Sequence, residues 1–174
     1  MKWLLALTII LLWLTSRNKQ AATTKPSSGL SWNELTGMTN DMTTGQPRGI
    51  RNNNPLNIEY KASNKWRGQV GSDGRFSIFE DDKYGFRAAA RVLRSYQKRG
   101  VNTIDSIVHT FAPSHENDSD HYANMVSQWT GYGKHQMLDA KNNDTVAVVI
   151  QAMARMEVGR QYPLSEVMEG VKLA

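Results

Sequence analysis

The side chains that could do chemistry in this chain fall into three groups. The first is a carboxyl at a helix end, Glu157, with Met153 and Met156 on the preceding turn and Gly159 behind it. A carboxyl packed against apolar residues at the negative end of a helix is held toward its neutral form, the state a general acid needs. The plainer reading is a solvated glutamate on a last turn. The second group is Asn52, Asn53, Asn54 and Asn57, interleaved with Tyr60 and Trp66. Amides supply paired donors and acceptors and aromatics supply flat apolar faces, the mixture a ligand pocket requires. Asparagines that merely cap turns are the alternative. Glu59, on the alternating run Leu56-Asn57-Ile58-Glu59-Tyr60, is a candidate second carboxylate, and Glu34, upstream of the asparagines, is a third. The third group is His109, His115 and His121 with Glu116, Asp118 and Asp120. None of these has the spacing that sets two imidazoles on one helical face, so we expect no metal and no cofactor. A polar loop capping the following helix accounts for the run.

Elements must position these groups. After a span of turns and short strand pieces from Arg48 to Phe79, Phe86, Ala89, Ala90, Leu93 and Tyr96 recur at helical spacing, and Gly100 ends that helix. Thr103 caps a second helix with Ile104, Ile107, Val108 and Phe111 on one face, and Pro113 closes it. A third helix turns Tyr122, Met125, Val126 and Trp129 inward up to Gly131. Asp144 or Thr145 caps the strongest pattern, Val146, Val149, Ile150, Met153 and Met156, and Pro163 opens a last turn through Val167 and Val171. The Leu56-to-Tyr60 alternation and the Arg75-to-Phe79 run are expected to pair as a small lip. The fold class is mainly α, an α+β domain over residues 47–174.

What precedes the domain has another character. Residues 3–14 are apolar apart from Thr8, with Trp3 and Trp13 at the ends, and Leu14-Thr15-Ser16-Arg17 is a poor cleavage site. Residues 1–16 therefore read as a membrane anchor or uncleaved signal, and 17–46, rich in Thr, Ser and Asn, as a tether. The formal charge is +5 among 174 residues, but Lys2, Arg17, Lys19 and Lys25 belong to that appendage. The domain is only weakly basic, which argues against a nucleic-acid partner. The chain has no cysteine, which excludes a disulfide scaffold and thiolate metal sites.

Arg51-Asn52-Asn53-Asn54-Pro55-Leu56-Asn57-Ile58, then Trp66 with Gly68, then the Arg75-to-Leu93 stretch and Phe111-to-Val126, resemble a family of small phage virion proteins. That family occurs in tailless membrane-containing phages and in prophages. Its usual members have glycine where this chain has Leu56, and close with Glu-Asn-Gly and a tyrosine where this chain has Glu157-Val158-Gly159 and Tyr162. The asparagine block, the Phe-rich strand and the Tyr84-Gly85 helix start are, more distantly, similar to bacterial cell-wall glucosaminidases of lysozyme-like fold. In those enzymes the catalytic Glu-x-Gly helix end precedes the block, whereas here Glu157 follows it, as in a permuted domain. The resemblances imply a lysozyme-like helical domain of a virion protein that recognises and cleaves peptidoglycan. Glu157 would be the acid, with Glu59 and Glu34 as alternatives, and Asn52, Asn53, Asn54, Asn57, Tyr60 and Trp66 would hold the sugars. Implied partners are peptidoglycan, a membrane through residues 3–14, and other virion proteins. A non-catalytic structural protein of the virion membrane or capsid is the competing reading.

Overall fold

Helix α2 (Asp82–Gln97) is the centre of the domain, because one side carries only small or apolar residues. Phe86, Ala88, Ala89, Ala90 and Leu93 are buried on it. The computed structural model describes residues 45–113 and 118–174. Within them a short α1 (Arg48–Arg51) leads to β1 (Gln69–Ser72), β2 (Ser77–Phe79) and α2. Then follow α3 (Ile104–Phe111), α4 (Ser119–Thr130), α5 (Asn143–Val158) and α6 (Leu164–Lys172). The class is α+β and mainly helical, as the periodicity predicts. The anchor, the tether up to residue 44, and Glu34 lie outside the described residues, as do His115 and Glu116. No helix among the described residues is long and apolar enough to cross a membrane.

The helix starts follow side-chain chemistry. Asp81 accepts from the Lys83 N–H to begin α2, and Thr103 and Ser106 form a reciprocal capping box on α3. Asp118 accepts from the His121 N–H at the start of α4, so this part of the acidic, histidine-rich loop is a cap. Helix α5 departs from expectation: its cap is Asn142, whose Oδ1 accepts from the N–H groups of Asp144 and Thr145. Asparagine satisfies two orphan donors there, and Asp144 falls inside the first turn. Gly131 and Gly159, both with positive φ, end α4 and α5. Pro163 precedes α6, which packs on both α2 and α5 and buries Val167 and Val171. Phe86 and Tyr162 meet edge to face with centroids 5.0 Å apart in this layer.

The lip also differs from the expected pairing. β1 and β2 form an antiparallel hairpin with an irregularity between Gln69 and Gly71. The Leu56-to-Tyr60 segment joins only through a bridge between Glu59 and Phe76. The ladder goes no further because the Asn54 side chain takes the next donor and acceptor, accepting from the Ile58 N–H and donating to the Ser77 carbonyl. Asp73 holds the hairpin turn, accepting from the N–H groups of Arg75 and Phe76, from Asn52 Nδ2 at 2.7 Å and from Arg48. Burial pushes this carboxyl's pKa upward, but those hydrogen bonds prevail and hold it well below the usual range.

Asn54 explains the polar block. It is fully buried, its Nδ2 donates to the carbonyls of Ile58 and Ser77 at 3.0 and 2.8 Å, and its Oδ1 accepts from the Ile58 N–H at 2.8 Å. The left-handed backbone that a turn this tight requires falls on Asn53 and Asn57, with φ of 48° and 49°. Leu56 therefore needs no glycine-like conformation and goes into the core. Gly85 lets α2 close on this turn, since a Cβ there would lie 2.5 Å from the Asn53 carbonyl oxygen.

Candidate functional site

A cleft of about 980 Å³ opens between the lip and the helices. One wall is the outer face of α2, with Arg91, Val92, Ser95 and Tyr96, continued by Thr110 to Pro113 at the end of α3. The other is the chain from Leu56 to Glu59 with Lys61, Asn64 and Trp66, completed by Arg75 and Phe76 of the lip. Glu157, on the last turn of α5, contributes its carboxyl to the same cleft.

Two neutral donors grip that carboxyl. Asn57 Nδ2 donates to Oε2 at 3.1 Å and the Tyr122 hydroxyl, from α4, donates to Oε1 at 3.1 Å. Burial raises the Glu157 pKa above the ordinary glutamate value, and the bonds from Asn57 and Tyr122 only partly offset it. Among the described residues no cation acts on it. The Tyr122 hydroxyl is driven well above its own usual pKa by burial and by Glu157, so it stays protonated and remains a donor. The Oδ1 of Asn57 is buried without a partner on the side of Gly49, where an added Cβ would come within 2.9 Å of it. The product is a protonatable carboxyl, fixed at both oxygens, facing an open cleft.

The candidates separate clearly. Glu157, Asn57, Glu59 and Trp66 line one cleft. Glu59 is exposed and its Oε1 lies 3.5 Å from Arg75 Nε. Tyr60 is exposed and is not among the cleft residues. Asn52, Asn53 and Asn54 do not line the cleft: Asn52 donates to Asp73, Asn53 to the Phe79 carbonyl at 3.0 Å, and Asn54 closes its own turn. Alternation explains the division, since Leu56 and Ile58 take the core side and leave Asn57 and Glu59 for the other. Sequence reasoning missed Tyr122 as a partner of Glu157. It shares the inward stripe of α4 with core residues, and only its hydroxyl could have marked it. Trp129 is half-buried, with the Arg155 guanidinium 4.1 Å from its ring centroid.

Asp105, His109 and Asp120 do approach one another, with ligand atoms within 4.8 Å. His109 Nδ1 lies 2.9 Å from the Asp105 carbonyl oxygen and its Nε2 lies 3.6 Å from Asp120. Lys134 Nζ is 3.7 Å from Asp105. That ammonium pairs with the half-buried Asp105 while His109 faces the exposed Asp120, so we read the group as an ion-pair cluster.

Protein P5 of Pseudoalteromonas phage PM2 is 40% identical to this chain over 129 residues, covering 71% of the chain and 79% of the relative. The chain belongs to the phage protein P5 family. No protein-family model matches it. The phage part of the resemblance read from the asparagine block thus stands. The relative's name, protein P5, specifies no activity.

Proposed function

We propose that this P5-family chain is a virion-associated protein whose cleft binds peptidoglycan glycan strands and cleaves them during host penetration, with Glu157 as general acid. The observation that carries the reading is Glu157 itself: a carboxyl raised in pKa by burial, held at both oxygens, and open to a groove with a tryptophan and two amides along it. Trp66 would stack on a sugar ring, and Asn57 and Asn64 would meet hydroxyl or acetamido groups. Glu157 would protonate the departing glycosidic oxygen, and its carboxylate would then take a proton. In a lytic transglycosylase that proton comes from the muramyl 6-hydroxyl, and one carboxylate suffices. Glu59, in the same cleft but ion-paired with Arg75, is the residue through which a second, hydrolytic carboxylate would act. A lysozyme-like origin of the helical domain and a membrane anchor at residues 3–14 belong to this proposal.

A second reading is a structural virion protein that keeps the groove without turnover, working through other virion components or the virion membrane. The phage relative favours it, because membership in a phage protein family requires no catalysis. Incubating the full-length chain with purified peptidoglycan, beside Glu157→Gln, tests the two. Release of soluble fragments by the wild type and at least a hundredfold less by the variant supports glycan cleavage, with anhydro or reducing ends naming the reaction. No release by the wild type supports the structural reading.

A further inference from the structure

The charge inside the cleft is unbalanced. Its lining holds three cations, Lys61, Arg75 and Arg91, and two carboxyls, Glu59 and Glu157. Arg75 and Glu59 face each other at 3.5 Å. Glu157 is satisfied by Asn57 and Tyr122, both neutral, and no cation among the described residues acts on it. Arg91 and Lys61 are therefore not there to hold the acid in its ionised form. Among the described residues neither side chain makes an ion pair or a hydrogen bond. The helix face carrying Arg91 is also positively loaded: burial, then Arg91 and Arg67, depress the pKa of Arg87 one turn earlier. Arg91 on one wall and Lys61 on the other leave the cleft with one more cation than carboxyls, which raises the local potential for an anionic ligand.

Resting on the glycan reading above, we propose that Arg91 and Lys61 read carboxylates carried by the strand, so that the cleft selects glycan substituted with free carboxylates over neutral glycan. Peptidoglycan offers such groups on the stem peptides that branch from alternate sugars, or on the lactyl ethers where no peptide is attached. Arg91 projects from the α2 wall and Lys61 from the wall that carries Trp66. A ring stacked on Trp66 would thus leave its substituents within a cation-lined groove. The guanidinium can take a carboxylate through two parallel N–H bonds, and the lysine acts as a point charge.

The test uses the full-length chain carrying Glu157→Gln, so that bound strands are not consumed. Its affinity is measured for soluble peptidoglycan strands with free stem carboxylates, and for the same strands after their carboxyls are amidated. The expected preference for the carboxylated strands is about tenfold, the worth of a charge-assisted hydrogen bond. Adding Arg91→Gln and Lys61→Gln should collapse that ratio to about twofold or less. Because the ratio compares two ligands on one sample, partial unfolding moves both affinities together and leaves it unchanged. Equal binding of the two strands by the parent overturns carboxylate reading while glycan binding stands, and so does a preference that survives both substitutions. If neither strand binds, the glycan reading falls and this inference falls with it.

Discussion

A glutamate on the last turn of a helix faces the negative end of the macrodipole, and burial there adds to the cost of its charge. Glu157 carries both burdens, and Asn57 and Tyr122 return only part of the difference. The two donors thus set how acidic the group is. Replacing Tyr122 with Phe removes a bond that favours the carboxylate, so the Glu157 pKa should rise further. If Glu157 acts as the acid, the alkaline limb of the pH–activity profile should move to higher pH in Tyr122→Phe, and a carboxyl titration by NMR should move the same way. An unchanged profile would separate Tyr122 from the acid. Glu157 was legible in the sequence because a Glu-x-Gly helix end next to methionines marks itself. Tyr122 was not, since its partner is 35 positions away and its helical position matches that of any core aromatic.

The element that shapes the cleft is the asparagine turn between α1 and the hairpin, where four similar residues do different work. Asn54 joins three backbone groups inside the fold, whereas Asn57 points its amide at Glu157. Asn54→Ala should cost about 3 kcal/mol by leaving buried carbonyls and an N–H unpaired, read from urea unfolding. Asn57→Gly should change stability by less than about 1 kcal/mol, because glycine accepts the positive φ readily, yet it removes a donor from Glu157 and should raise that group's pKa. The turn was visible in the sequence, and its division of labour was not. Which amide turns inward depends on the hairpin carbonyls of Ser77 and Phe79, more than twenty residues downstream. The helices were more legible, because local periodicity and capping side chains specify them. The α5 cap still moved to Asn142, a reminder that neighbouring cap formers compete for the same N–H groups.

For the whole molecule the buried acids make stability fall as pH rises. Asp82, at the start of α2, is raised from 3.8 to about 6 by burial, with Asp81 and Glu166 adding to the rise and Arg160 opposing it. The folded state binds its proton more tightly than the unfolded state does. That stability is therefore complete below about pH 4 and lost as pH climbs through about 6. Glu157 has the same sign. Asp82→Asn should remove about 1 kcal/mol of this dependence once solvent screening of the half-exposed carboxyl is allowed for, seen as urea midpoints that change less between pH 4 and pH 7 than in the wild type. An unaltered slope would mean that other groups set it.

Asn57 and Glu157 stand 100 positions apart and meet in one hydrogen bond. During synthesis the asparagine turn leaves the ribosome long before the carboxyl exists, and α6, which supports both α2 and α5, follows later still. The groove is thus incomplete on every nascent chain until nearly the whole domain has emerged. The order of synthesis thus makes the carboxyl the last part of the groove to arrive, on a turn of α5 whose partners are already waiting for it.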